Sequence, residues 1–429
     1  MKMRITAASI LVVALTVSAA SGAVPADLLN QPWYPKAPPL PAPREHVIKA
    51  GTVDEIRAAL KDVKPGGTIL IADGHYMMHH LEISVENVTV RSASGKRDKV
   101  IIDGNRGKGN TYAGELVRLT RDGITVADLT IQNAKWNGFK LYNKVSGARI
   151  YNCVIHNVWQ RGVKQGLRPE VDGKRQYNHS NRVQYCLFYN DRPKQWGDDP
   201  ADDKGTTRFG GNYIGGMDVM AAKGWTVSDN VFVNIKGRSK SGRGAIFMWV
   251  GGEDCVVERN IIINCDRAIC IGNPSGSNTD RIRHATRFTV RNNFVTNCPG
   301  NAIEFDWTRD CRFVHNSVHS TDGRLLVIYA ANDGLEVRNN ILNGRRPSLV
   351  RTTGKITIED NLHKLAADRF VDAARGNLRL KETATAAIDK AKPLKDVPQD
   401  IDCHPRGARP DLGADELLAP APATGRPPK

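Results

Sequence analysis

Apolar and polar positions alternate along most of this chain in short runs with a recurring frame, and nowhere in that region with a helical period. The clearest run is Val257-Glu-Arg-Asn-Ile-Ile-Ile-Asn264, and close variants stand at Ile150–Asn157, Val183–Asn190, Val227–Asn234 and Val290–Asn297. Fainter copies fall at Val126–Asn133, Phe313–Ser320, Val337–Asn343 and Ile358–Asn361. The fourth residues are Leu129, Cys153, Cys186, Asn230, Asn260, Asn293, Asn316, Asn340 and Asn361, so subtraction gives spacings of 24, 33, 44, 30, 33, 23, 24 and 21. A base period of 21 to 24 with insertions, built on short β-branched runs, is a solenoid whose coils bury their apolar faces only by stacking. Leucine-rich repeats share the period but need spaced leucines and helical return segments, which are missing. The expectation is an all-β parallel β-helix. Asparagines at matching points of successive coils would stack about 4.8 Å apart and satisfy one another and the turn backbone.

Each rung is followed by a second run opened by a small residue: Gly138–Tyr142, Gly162–Gln165, Gly216–Met220, Ala245–Trp249, Ala268–Ile271, Ala302–Asp306 and Leu325–Tyr329. Period-two alternation sends Phe139, Val163, Met217, Ile246, Ile269, Ile303 and Leu326 inward. It turns Lys140, Lys164, Asp218, Phe247, Cys270, Glu304 and Val327 outward. The insertions, 166–181, 191–215, 236–243 and 273–287, flank this strand in the middle coils and would wall a groove there.

At the ends the pattern changes. Residues 1–23, a basic start and an apolar run closing on Ser21-Gly-Ala23, read as a cleaved signal peptide, making the protein secreted or periplasmic and not an integral membrane protein. Residues 24–45 hold seven prolines and read as an extended arm. Within 46–67, Thr52-Val-Asp-Glu55 is a capping box before an amphipathic helix covering the first coil. The solenoid then spans 68–365, with a C-terminal segment over 366–416 expected to cap the last coil, and a Pro/Ala-rich disordered tail, 417–429.

The formal net charge of +16 becomes +14 without Lys2 and Arg4. In an exported monomer that balance favours an acidic polysaccharide over nucleic acid, with plain solubility charge as the alternative. Of the eight cysteines, Cys153 with Cys186 and Cys265 with Cys298 occupy matching points on adjacent coils, as stacked core thiols or as disulfides. No Cys/His spacing suits zinc, no phosphate loop or serine nucleophile motif is present, and His79, His80, His284 and His315 are scattered.

The succession of helix, Pro65-Gly-Gly-Thr-Ile69, strand and Asp73-Gly-His-Tyr76 resembles the N-terminal cap of secreted right-handed β-helix proteins, including the chondroitinase B and alginate lyase group. That resemblance implies a pectate-lyase-like right-handed β-helix and a polysaccharide lyase. The implied catalytic pair does not match: Asp218 can occupy the acidic position, but Met220 or Ala221 stands where a lysine belongs and Trp249 or Val250 where an arginine belongs.

From the residues themselves, β-elimination from a uronate needs a base, a cation for the enolate and an acid for the leaving oxygen. Lys164, with Arg161 and Lys140 nearby, is the candidate base, and Arg243 and Asp218 complete the set. Lys140, Tyr142, Trp249 and Trp307 offer cations and flat apolar rings to sugars. Asp198, Asp199, Asp202 and Asp203 place four carboxylates in one loop, a candidate Ca²⁺ site. A hydrolase would use Glu304 and Asp306, about 7 Å apart on one strand face, since Asp218 lies three coils from Glu304, roughly 14 Å. A non-catalytic glycan-binding protein is the third reading.

Overall fold

The computed structural model describes residues 24–418 except 44, 106–112, 143–144, 167–170, 204–209 and 275–282. The expected signal peptide and residues 419–429 of the expected tail lie outside the described residues.

Rung after rung pairs in parallel. A 12-stranded sheet runs from Val47–Ala50 through the first strand of every coil to Ile356–Glu359. The second half of each rung and the strand after it form two more parallel ladders, joined where Thr130–Leu141 and Ser317–Ala330 run through the bend between them. The fold is a right-handed parallel β-helix. Its interior is one continuous apolar cluster that includes Phe139, Val163, Met217, Ile246, Ile269, Ile303 and Leu326, all facing inward. The helix Val53–Asp62 covers the first coil, with Thr52 accepting from the Glu55 amide and Glu55 accepting from the Gly51 amide.

Each rung turns at its third residue, where a left-handed backbone recurs: Asn152, Tyr185, Asp229, Arg259, Asn292, His315, Asn339 and Asp360 all have φ between 50° and 61°. The fourth-position asparagines follow. Asn230 donates to Asn260 (3.0 Å), Asn260 to Asn293 (3.0 Å), Asn293 to Asn316 (2.9 Å), Asn316 to Asn340 (3.1 Å) and Asn340 to Asn361 (2.9 Å). Each oxygen also accepts the backbone amide of the asparagine one coil earlier, as when Asn260 N donates to Asn293 Oδ1. At Cys153 and Cys186 thiols fill the same column, joined by no disulfide, and each donates to backbone carbonyls. Cys265 and Cys298 are not bridged either. The disulfide alternative is thereby corrected: the buried stack is core filler.

The C-terminal segment does not close the last coil. It folds back along the outside, where Phe370, Ala373, Leu378 and Leu380 cover the outward residues Val231, Val233, Ile261, Ile263 and Phe294. This explains why Ile261-Ile-Ile263 is apolar at all three positions: both of its faces are covered. The proline-rich arm is extended but docked. Tyr151 donates to the Pro38 carbonyl and Arg91 to that of Pro41, while Leu28 and Tyr34 join the same outer cluster as the C-terminal segment. The arm and that segment meet, Arg375 pairing with Asp27 and Arg379 donating to the Trp33 carbonyl.

Candidate active site

On the groove ladder, Lys140, Lys164 and Asp218 stand in register, as do Phe247, Cys270, Glu304 and Val327. The Val219–Met248 pairing joins the two sets into one outward column. Three residues upstream runs a second column in which Arg161 pairs with Gly215 and Gly244 with Arg267. The glycines make room: a Cβ on Gly215 would sit 2.9 Å from an Arg161 guanidinium nitrogen. Arg161 therefore reaches across Gly215 on the next coil toward Asp218.

Asp218 is buried and accepts from Arg161 Nε (3.1 Å), Lys164 Nζ (2.6 Å) and Trp249 Nε1 (3.0 Å). Burial alone would raise its carboxyl, but the charges of Arg161 and Lys164 and the bonds from Lys164 and Trp249 outweigh it and hold it below the usual range. Three coils on, Glu304 is gripped by Arg243 (3.1 Å), Arg267 (3.2 Å) and Asn301 (2.7 Å). It too stays low because Arg243 and Arg267 overcome its burial. A cavity of about 300 Å³ lies between the clusters, lined by Arg161, Tyr213, Asp218, Arg243, Phe247, Trp249 and Arg267 among others. Tyr213 lies over the Arg161 guanidinium, 4.1 Å from its carbon to the ring centroid, and Phe247 packs likewise on Arg243 at 4.4 Å. Carboxylates thus aim arginines from behind while aromatic faces steady them in front.

Several assignments change. Lys164 carries a buried carboxylate on its ammonium, which opposes its use as a base. Lys140, the next lysine in the column, is instead the one whose ammonium is depressed, first by burial and further by Lys164, with Glu115 opposing. Trp249 is not an open sugar platform: its indole nitrogen is spent on Asp218 and its ring stacks on Phe247. Trp307 sits in a left-handed turn (φ 57°), its carbonyl accepting from His284 N, and is not among the cavity-lining residues. Tyr142 is exposed and donates to Glu115. The positions where a lysine and an arginine were sought, Ala221 and Val250, are also left-handed turn residues, with φ 50° and 54°.

The acidic loop is an internal brace. Lys194 Nζ, fully buried, bonds Asp199 (3.0 Å) and Asp202 (2.8 Å), Arg192 holds Asp198 at 2.7 Å, and Asp203 accepts from the Gly197 amide. An ammonium occupies the point a cation would need, so these residues do not fit Ca²⁺, and the calcium assignment is corrected. The brace has another consequence: Asp202 accepts the Tyr213 amide, Lys194 donates to the Tyr213 carbonyl and Gln160 donates to Asp199, which together fix Tyr213 over Arg161. On the other wall, buried Asp266 accepts from the amides of Gly237 and Gly242 and so anchors the loop that delivers Arg243.

Sequence reasoning missed Tyr213, Arg267 and His284. Arg267 could have been found by extending the repeat frame three residues upstream. Tyr213 lies in an insertion with no period to phase it. His284 sits edge-on to Trp249, and burial, then Arg243, pushes its pKa down to about 4.

Asp306 differs from every other carboxylate here. Both its oxygens are buried without a hydrogen-bond partner, and burial, then the charge of Glu304, raises its pKa to about 8. The folded value lies above the unfolded one, so its contribution to stability is full below about pH 4 and is lost as pH rises toward 8. Asp306→Asn should therefore raise the melting temperature at pH 8 by a few degrees and leave it nearly unchanged at pH 4. Equal shifts at both pH values in thermal unfolding would count against a neutral Asp306.

No protein-family model and no curated protein matches the chain. Among solved structures it is similar to pectate lyase Pel9A, at 14% identity and a TM-score of 0.51 over 84% of this chain and 90% of that one. It is also similar to an alginate lyase from Paenibacillus sp. str. FPU-7, at 14% identity and a TM-score of 0.40 over 74% and 99%. A mannuronic acid specific polysaccharide family 6 lyase from human gut microbiota gives 12% identity and a TM-score of 0.40 over 76% and 84%. The first likeness shows the shared parallel β-helix; the chemistry has to be argued from the residues.

Proposed function

We propose that this β-helix is an exported polysaccharide lyase that cleaves an acidic, uronate-containing polymer by β-elimination in the cavity between Asp218 and Glu304. The observation that carries the reading is a pair of buried carboxylates, each spent on orienting arginines into one aromatic-walled cavity. Planar guanidinium groups bind a sugar carboxylate bidentately and stabilise the enolate that forms when the neighbouring carbon loses its proton. Arg161, Arg243 and Arg267 fill that role. Lys140, two coils before Asp218 at the cavity's N-terminal edge and not in its lining, takes the proton, its depressed ammonium placing more of it in the neutral form at a given pH. The hydroxyl of Tyr213, exposed beside Arg161, donates to the leaving oxygen. No step in this scheme passes through a metal. The N-terminal pattern of residues 1–23 supports export.

Incubation with a panel of uronate polymers, followed by unsaturated-sugar absorbance in the ultraviolet, tests the reaction; no absorbance on any of them would sink it. Lys140→Met should lower kcat on the order of 10²-fold, the usual scale of a lost general base. In the parent enzyme activity should rise with pH through a Lys140 titration below the ordinary lysine value of 10.5, and the variant should lack that limb. A hydrolase reading keeps one observation in its favour, the split between ionised Glu304 and neutral Asp306. It predicts new reducing ends without absorbance. Binding with no change in polymer length would instead mark a glycan-binding protein.

A further inference from the structure

The outward column is open toward one end of the solenoid and shut toward the other. On the N-terminal side of Asp218 the column continues through Lys164, Lys140 and Arg118 on successive coils. The Arg118 side chain is 26% exposed and Tyr142 beside it 36%. On the C-terminal side Phe247 is 3% exposed, Cys270 0%, Glu304 2% and Val327 7%. Arg243 is the bolt across this side: its guanidinium packs on Phe247, pairs with Glu304 and donates to the Gly272 carbonyl at 3.0 Å. Arg267 and Asn301 complete the closure on Glu304.

We propose that the cavity takes the end of an acidic polysaccharide chain arriving over the N-terminal coils, and that cleavage is exolytic. An internal stretch of polymer would have to continue over Phe247, Cys270 and Glu304, and among the described residues that path is covered by Arg243 and Arg267, both tied down to the buried Glu304. Displacing Arg243 would leave Glu304 buried with one arginine fewer, a loss that a passing uronate ring, itself carrying a carboxylate, does not offset. The open side carries Lys140 and, one coil further, Arg118, which is paired with Glu115 and Glu82 yet still partly exposed, a polar track over which the trailing chain can lie. Cavity size agrees, since about 300 Å³ is at the small end of ligand sites.

This inference rests on the elimination reading, and one experiment separates the two. The full chain is incubated with polygalacturonate and with alginate while viscosity, ultraviolet absorbance, reducing ends and product size are followed together. The expected result is rising absorbance at nearly constant viscosity, with mono- or disaccharides as the first products. An early collapse of viscosity and a ladder of intermediate sizes would overturn exolytic action while leaving elimination standing. Reducing ends without absorbance at constant viscosity would overturn elimination and uphold the dead-end cavity. No product at all would overturn both. Arg118→Ala, outside the cavity, should raise KM for a hexasaccharide several-fold and leave that for a disaccharide unchanged; equal effects on both would contradict entry over the N-terminal coils.

Discussion

Asp218→Ala will cost about 3–5 kcal/mol in denaturant unfolding and abolish turnover, because it leaves two cations facing a buried, empty anion position. Arg161 is almost fully buried and Lys164 nearly so, and both point at this one carboxylate. Trp249 loses its acceptor at the same time. Asp218→Asn keeps the shape and an acceptor for the indole but not the charge, so it should fall between alanine and the parent in stability and still lack activity. The sign with pH follows from the direction of the shift. A carboxyl held below its unfolded value stabilises above about pH 4, and that contribution fades as pH falls through the folded value. The gap between parent and alanine variant should therefore narrow in acid. An alanine variant as stable as the parent at pH 7 would refute the role given to Asp218.

Asn293→Ala is the second large effect. Its side-chain amide donates to the Val257 carbonyl (3.0 Å), the Arg291 carbonyl (2.9 Å) and Asn316 Oδ1 (2.9 Å), while its oxygen accepts from both nitrogens of Asn260. Alanine would strand Val257 O and Asn260 N inside the wall, where each buried unsatisfied group costs about 1–3 kcal/mol. A loss of roughly 3–5 kcal/mol is expected. Asn361 ends the ladder and is half-buried, so water can replace the bonds it takes from Asn340 and gives to Val337 O and Glu359 O, and Asn361→Ala should cost on the order of 1 kcal/mol. Equal losses at Asn293 and Asn361 would show that the column is not cooperative.

How much of this could be read beforehand depends on whether a property lies along the chain or between coils. Rung phasing is local, and it placed Phe139, Val163 and Met217 inside and Lys164, Asp218 and Glu304 on the other face without a structure. The partners of those outward groups are not local. Arg161 and Asp218 are separated by 57 residues and Trp249 and Asp218 by 31, distances set by insertions that have no period. The acidic loop shows the same limit in another form. Four aspartates beside lysines describe a calcium loop and an internal ion pair equally well, and only the position of Lys194 between Asp199 and Asp202 separates them. The course of the C-terminal segment left a trace that went unread: Ile261-Ile-Ile263 lacks the polar position expected of a rung open to water.

A stacked array of similar coils behaves as a one-dimensional chain, able to melt from either tip one unit at a time. Here Asp27 is tied to Arg375 across 348 residues of sequence, and the Trp33 carbonyl to Arg379 across 346. The first coil is covered by the helix Val53–Asp62 and the last is open at Ile358, while the arm and the C-terminal segment are clasped to each other over the middle coils. The clasp adds contacts beyond the neighbouring coil, so unfolding should be more cooperative than nearest-neighbour stacking alone would give.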